Sequence, residues 1–185
     1  MAQTLEESTL RVLQSPEVSR INFRLLGVDV RGAAYLEIAD KILEGHFAVS
    51  DELDEDLVRE GSGAAYSALS NRLRFGTHRF GFREWNSYVV HEATHALVDY
   101  KKIQISKIDD EVVAHVAHTL YLRRVGFGYK SHGITNKTWF AARDVADSII
   151  RNGISEDGLV KKLQEAVRND PLYHDFIGKQ STANG

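Results

Sequence analysis

The chain has 185 residues, 43% of them hydrophobic and 26% charged; that length folds as one domain burying roughly 70% of its unfolded surface, and the apolar content excludes disorder throughout. Cysteine is absent, which excludes disulfides, thiolate metal sites and a cysteine nucleophile and leaves His, Asp and Glu to hold any metal. The net charge of −3 and isoelectric point near 6.2 predict no nucleic-acid partner, since such proteins concentrate positive charge.

The N-terminus, MAQTLEESTLRVLQSPEV, has acids where a signal peptide has bases and lacks a long apolar run. It predicts a cytoplasmic protein, or one exported by a signal-independent secretion system. No stretch anywhere approaches the ~20 apolar residues of a membrane span, so no membrane partner is expected. Proline occurs only at Pro16 and Pro171, which makes the long middle helix-rich. Residues 4–14 read as a short helix on Leu5, Leu10, Val12 and Leu13, and Ile21, Phe23 and Leu25 alternate as a strand before Gly27. Residues 33–44 carry Ala34, Ile38, Ile42 and Leu43 at helical spacing, and Ser50 is placed to cap a helix whose first turn holds Asp51 and Glu52.

Ala64-Ala65-Tyr66 leads into Ser67-Ala68-Leu69-Ser70-Asn71 and then Arg72-Leu73-Arg74-Phe75, which reads as a hairpin of two short strands turning at Ser70-Asn71, with Arg72 and Arg74 on one face of its second strand. A helix follows from about Phe82 to Tyr100. Another starts at Ser106, where Ser106 to Asp109 matches a capping box, and runs to about Arg124. The segment GFGYKSHG, 126–133, is a glycine-spaced loop. Helices are expected over 137–151, capped by Thr135 or Asn136, and over 156–168, capped by Ser155; the tail 176–185 is expected to fray.

One motif carries chemistry. His91-Glu92-Ala93-Thr94-His95 is HExxH. On a helix, positions i and i+4 share a face, so the two imidazoles can converge on one ion. Glu92 lies one step around, able to reach a water on the metal without being a ligand. Zinc makes such a water acidic near pH ~7, and the carboxylate can take its proton. Tyr88, Val89, Val90, Ala93, Ala96 and Leu97 make this helix apolar and buried, where unpaired imidazoles and carboxylates are costly. Catalytic zinc commonly has three protein ligands. Candidates for the third lie on the next helix, where Glu111, His115 and His118 share a face and the 101–107 loop can turn that helix back on the first.

HEATHALVD followed by an acid in DDEVVAHVA resembles the zincin metallopeptidases, in particular the glutamate-zincin, thermolysin-like group. The resemblance covers about residues 64–124; residues 1–60 and 125–185 match nothing. Positions 98 and 101 are Val and Lys, which excludes the metzincin pattern. The resemblance implies that His91, His95 and Glu111 bind Zn2+ and that Glu92 is the general base. It also implies that the strand with Arg72, Leu73 and Arg74 lies beside the cleft as the edge that pairs with an extended peptide. The fold expected is α+β and predominantly helical. It is a small zincin-like domain, residues 1–185, with a short β-hairpin or small sheet packed on the HExxH helix.

The function implied is zinc-dependent hydrolysis of a peptide or protein substrate. A developing oxyanion needs a further donor, for which His115, His118, Tyr121 and His132 are candidates; His115 could instead hold a ligand in place. The rival is a non-catalytic zincin-like module, a toxin or regulator in which His115 or His118 closes a structural four-ligand site. Glu92 separates the two, because a carboxylate beside the two histidines suits a base and has little structural use.

Overall fold

The computed structural model describes residues 3–60, 62–77, 83–128 and 136–181. Thr4 opens α1 (Leu5–Leu13): its hydroxyl accepts from the Glu7 N–H while the Glu7 carboxylate accepts from the Thr4 N–H, a closed capping box. Ser15 and Pro16 start α2 (Pro16–Ser19), a single turn the sequence reading missed, with proline at the first position where no N–H is needed. The expected strand is half of a hairpin. β1 (Asn22–Leu25) pairs with β2 (Val28–Arg31) across Leu26 and Gly27, both at positive φ, the backbone of a tight hairpin turn. Leucine in the left-handed region hid this turn from sequence.

Helix α3 (Gly32–Leu43) follows at once. Next come the two-residue β3 (Ala48–Val49) and α4 (Glu55–Glu60). Ser50 does not cap α4. Its N–H continues the β3 pairing by donating to the Leu73 carbonyl, and Asp54 Oδ1 accepts from Asp56 and Leu57 N–H instead. The expected hairpin is present as β4 (Ala64–Ser67) and β5 (Arg72–Phe75), joined by a 3-10 turn at Ala68–Ser70 and by Asn71 in the left-handed region.

Two long helices carry the rest: α5 (Arg83–Tyr100) and α6 (Lys107–Arg124). Ser106 caps α6 by accepting from the Asp109 N–H, although its hydroxyl donates to the Asp109 carboxylate rather than completing the expected reciprocal box. Contacts run in descending order between the two helices. Asn86 meets Tyr121, Ser87 meets His118, His91 meets Glu111, and His95 meets Asp110. The pair is therefore antiparallel. Both helices are buried on most of their circumference, as expected of helices covered on several sides.

On one side α1 and α3 cover α5; on the other, α7 (Lys137–Asn152) and α8 (Asp157–Arg168) cover α6. Tyr35 of α3 ties into α5: Thr94 gives its proton to the Val90 carbonyl, so the Tyr35 hydroxyl donates to Thr94 Oγ1 at 2.8 Å. Ser155 does not cap α8, which starts with Glu156 in the cap position and no side-chain cap bond. A 3-10 segment, Pro171–Phe176, follows. The tail is not frayed up to Ser181. Lys107 N–H donates to the Lys179 carbonyl and Ser181 N–H to the Ile105 carbonyl, which holds the strap across the start of α6.

The fold is thus predominantly helical α+β, with eight α-helices and two small sheets among the described residues, and β4 packs on the HExxH helix. None of the described helices is long and apolar enough to cross a membrane. The larger sheet corrects one expectation. Its order is β3-β5-β4, with β3 parallel and β4 antiparallel to β5. Arg72, Leu73 and Arg74 therefore sit on the central strand with both backbone edges engaged, and β4 is the edge.

Gly32 begins α3 hard against α2, where a Cβ would overlap the Ser19 backbone carbonyl. Gly32→Ala should destabilise the chain by about 1–3 kcal/mol in urea unfolding, the usual cost of overpacking. Gly158→Ala, where a Cβ meets open space, should leave stability equal or up to ~1 kcal/mol higher.

Candidate metal centre

Helix α5 turns His91, Glu92 and His95 toward α6, and α6 answers with Asp110, Glu111, His115 and His118. His91, Glu111 and His115 each place a ligand atom within 4.8 Å of the other two, forming a buried group able to hold a metal ion. His95 joins them: its Nε2 is 3.2 Å from His91 Nε2 and 3.5 Å from Glu111 Oε1, and His91 Nε2 is 3.4 Å from Glu111 Oε2. A tetrahedral ion with bonds of about 2.0–2.1 Å separates its ligand atoms by about 3.3–3.4 Å, so these spacings fit one shared ion. Glu111 Oε2 is buried with no hydrogen-bond partner, the state of an acceptor waiting for a cation.

The surroundings hold these donors in place. Asp110 Oδ1 lies 2.9 Å from His95 Nδ1, which turns Nε2 toward His91 and Glu111. Asp110 is itself held, its Oδ2 accepting from the Ser181 hydroxyl at 2.9 Å. A carboxylate behind a ligating imidazole fixes its orientation and raises its basicity. Glu92 is 5% exposed and accepts from the backbone N–H of Tyr66 on β4. Burial pushes its carboxyl up to about 7, against the pull of His95 and with help from Glu111.

His95 and Asp110 form a charged pair. Burial works against His95, but Asp110, Glu111 and Glu92 outweigh it and raise it to about 10. Asp110, despite its own burial, is held below the usual carboxylate range by His95. Burial then lowers His91 and His118 well below the ordinary imidazole value and His115 to about 3, and raises Glu111. At neutral pH His91, His115 and His118 are neutral imidazoles with lone pairs.

The cluster opens into a cleft of about 370 Å³, with β4 and Arg74 on one side and Leu172, Tyr173 and Phe176 of the strap on the other. Along an antiparallel ladder, residues alternate between facing the partner strand and facing away. Gly63 is bonded to Gly76 of the β5 side, so Ala65 and Ser67 face β5 while Ala64 and Tyr66 turn their backbone groups to the cleft.

The structure separates the oxyanion candidates. His118 is not in the cleft lining: Ser87 gives its proton to the Glu84 carbonyl, so His118 Nε2 donates to Ser87, and its ring packs on Trp139. Tyr121 accepts from Asn86 and lines a different cavity with Ser8 and Trp85. His132 lies outside the described residues. His115 is drawn into the ligand cluster, and its Nε2 is 2.9 Å from the Tyr173 hydroxyl.

Sequence reasoning missed Asp110, which reads as an acid serving the helix dipole. It also missed Tyr66, Tyr173 and Ser181. Tyr173 and Ser181 carry no local signal, lying 58 positions from His115 and 71 from Asp110. Comparison with protein-family models, curated protein sequences and solved structures returns no match for this chain.

The placement of the side chains gives a measurable expectation. With zinc as the probe ion, His91→Ala and Glu111→Ala, which remove two of the grouped donors, and His95→Ala, which removes the imidazole beside them, should each lose stoichiometric metal by elemental analysis, while His118→Ala keeps it. Asp110→Ala should bind zinc about 10–100-fold more weakly in a chelator competition, the usual penalty for losing such a support.

Proposed function

We propose that the chain is a zinc-dependent peptide hydrolase. Its ligands are His91, His95 and Glu111, and its general base is Glu92. The observation that carries this reading is the position of Glu92, buried in the same cleft as the donor cluster, outside the ligand set, and tied to edge strand β4 through the Tyr66 N–H. A zinc ion at this site supplies Lewis acidity toward a carbonyl and lowers the pKa of a bound water.

The protein's own residues do the rest. The Tyr66 N–H is taken by Glu92 and the Ala64 carbonyl by the Ser62 hydroxyl, so an extended peptide or protein segment would add to β4 through the Ala64 N–H and the Tyr66 carbonyl, which point away from β5, and be laid across the cleft. Glu92, pushed up to about 7, has the affinity a base needs near neutral pH. It takes a proton from the attacking water and passes it to the amine nitrogen as the C–N bond breaks. Asp110 keeps His95 in the ligating orientation throughout.

A second reading has one observation in its favour. His115 is within ligand reach of His91 and Glu111, so the site could close with four protein ligands and serve a non-catalytic binding or regulatory module.

Glu92→Gln separates the two. It keeps size and most hydrogen bonding but removes the base, so zinc and fold should be retained while hydrolysis of a peptide library falls at least ~100-fold. Wild-type turnover in that variant, on a substrate whose cleavage needs the metal, would exclude the mechanism. Retention of the biological effect in Glu92→Gln, with no cleavable substrate, would favour the binding module.

A further inference from the structure

His115 belongs to two groups at once. One ring nitrogen lies within 4.8 Å of the donor atoms of His91 and Glu111, and Nε2 is 2.9 Å from the Tyr173 hydroxyl. Glu111 and His115 are one turn apart on α6, on a single face, and His115 is 5% exposed, so bulk water does not compete for its nitrogens. A ring nitrogen bonded to a phenol is unavailable to a metal in either sense of the bond. If the phenol donates, the lone pair is occupied; if the ring donates, the nitrogen carries a proton.

Tyr173 is held in this position from both ends of the strap. Ahead of it, Asp170 accepts from Thr138, Asn136 and the Leu172 N–H. Behind it, Lys179 and Ser181 pair with Lys107 and Ile105, and Ser181 bonds Asp110. The phenol is therefore fixed relative to α6.

We propose that Nε2 is the nitrogen His115 would offer to a metal and that Tyr173, by occupying it, sets the number of protein ligands on the ion. With its hydroxyl on His115, the ion is held by His91, His95 and Glu111 and keeps a position for water and substrate. Without that hydroxyl, His115 becomes a fourth ligand and closes the site. This rests on the ligand set proposed above and adds its control. It gives Tyr173 a positioning role; the phenol also reaches Glu111, and the double variant Tyr173→Phe/His115→Ala separates an effect through His115 from one through Glu111.

The test uses the full chain with zinc affinity by chelator competition and visible absorption of the cobalt(II)-loaded protein. Tyr173→Phe should bind zinc ~10-fold or more tightly, the scale on which residues behind a ligand act. Its cobalt spectrum should no longer respond to azide, because no open position remains. The double variant Tyr173→Phe/His115→Ala should lose that tightening and regain the azide response, because no imidazole is left to close the site.

The inference is overturned by unchanged affinity in Tyr173→Phe, by tightening that persists in the double variant, or by metal loss in His115→Ala alone. Wild-type protein tests it without any substitution: azide must shift its cobalt spectrum, and a spectrum indifferent to azide also overturns the inference. Absence of peptide cleavage by wild type alongside the expected affinities would remove the hydrolase reading and leave this one standing.

Discussion

Everything in this molecule is arranged around the burial of a polar cluster between α5 and α6. His91, His115 and His118 are buried there with Glu92, Asp110 and Glu111, and His95 nearly so. An unpaired ionised group in such surroundings costs several kcal/mol, and the common escape is neutralisation. That escape is visible in the directions of the shifts. Glu92 and Glu111 are raised, and His91, His115 and His118 are lowered. His95 and Asp110 sustain opposite charges, bonded at 2.9 Å. The leftover capacity is all of one kind: neutral nitrogens with lone pairs and a carboxylate oxygen without a donor. Such a set gains most from a cation.

The surrounding elements make sense as devices for keeping that cluster buried and aligned. Small side chains on α5 and α6, among them Ala93, Ala96, Ala114 and Ala117, are fully covered and keep the helices close to their neighbours. Tyr35 fixes the middle of α5 from α3 through Thr94. β4 fixes it from the cleft side twice through one residue, with the Tyr66 N–H on Glu92 and the Tyr66 hydroxyl on Asp99 at 2.6 Å. Tyr66 thus joins the strand a peptide would pair with to the carboxylate that would act on it.

How much of this could be read in advance depends on distance along the chain. The HExxH helix, the helix after it, and the β4–β5 hairpin follow from local periodicity and caps, and the structure has all three. The i, i+4 spacing of His91 and His95 brings their Nε2 atoms to 3.2 Å because the helix alone dictates it. Which strand is the edge was not legible, since the answer turns on β3, two residues long and parallel to β5, too short to leave a pattern. Ser50 resembled a cap because acids follow it, but its N–H is taken by the sheet, and Asp54 caps the helix instead. Tyr173 and Ser181 could not be found at all, since a residue acting on a partner more than fifty positions away leaves no spacing to recognise.

The same non-locality bears on how the site comes into being. The donors lie on two consecutive helices, an arrangement of short loop and local contacts that forms readily. The groups that decide what those donors can do come from elsewhere: Tyr66 from β4, Tyr173 and Ser181 from the strap beyond α8. A chain with only α5 and α6 docked has histidines and carboxylates in proximity but no Tyr66 N–H on Glu92, no phenol on His115 and no hydroxyl on Asp110. Each of those bonds changes a donor's freedom rather than adding a donor. Binding capacity is therefore a property of the helix pair, while the restraint proposed for His115 would belong to the segments docked upon it, and the cleft lies between those segments and the two helices.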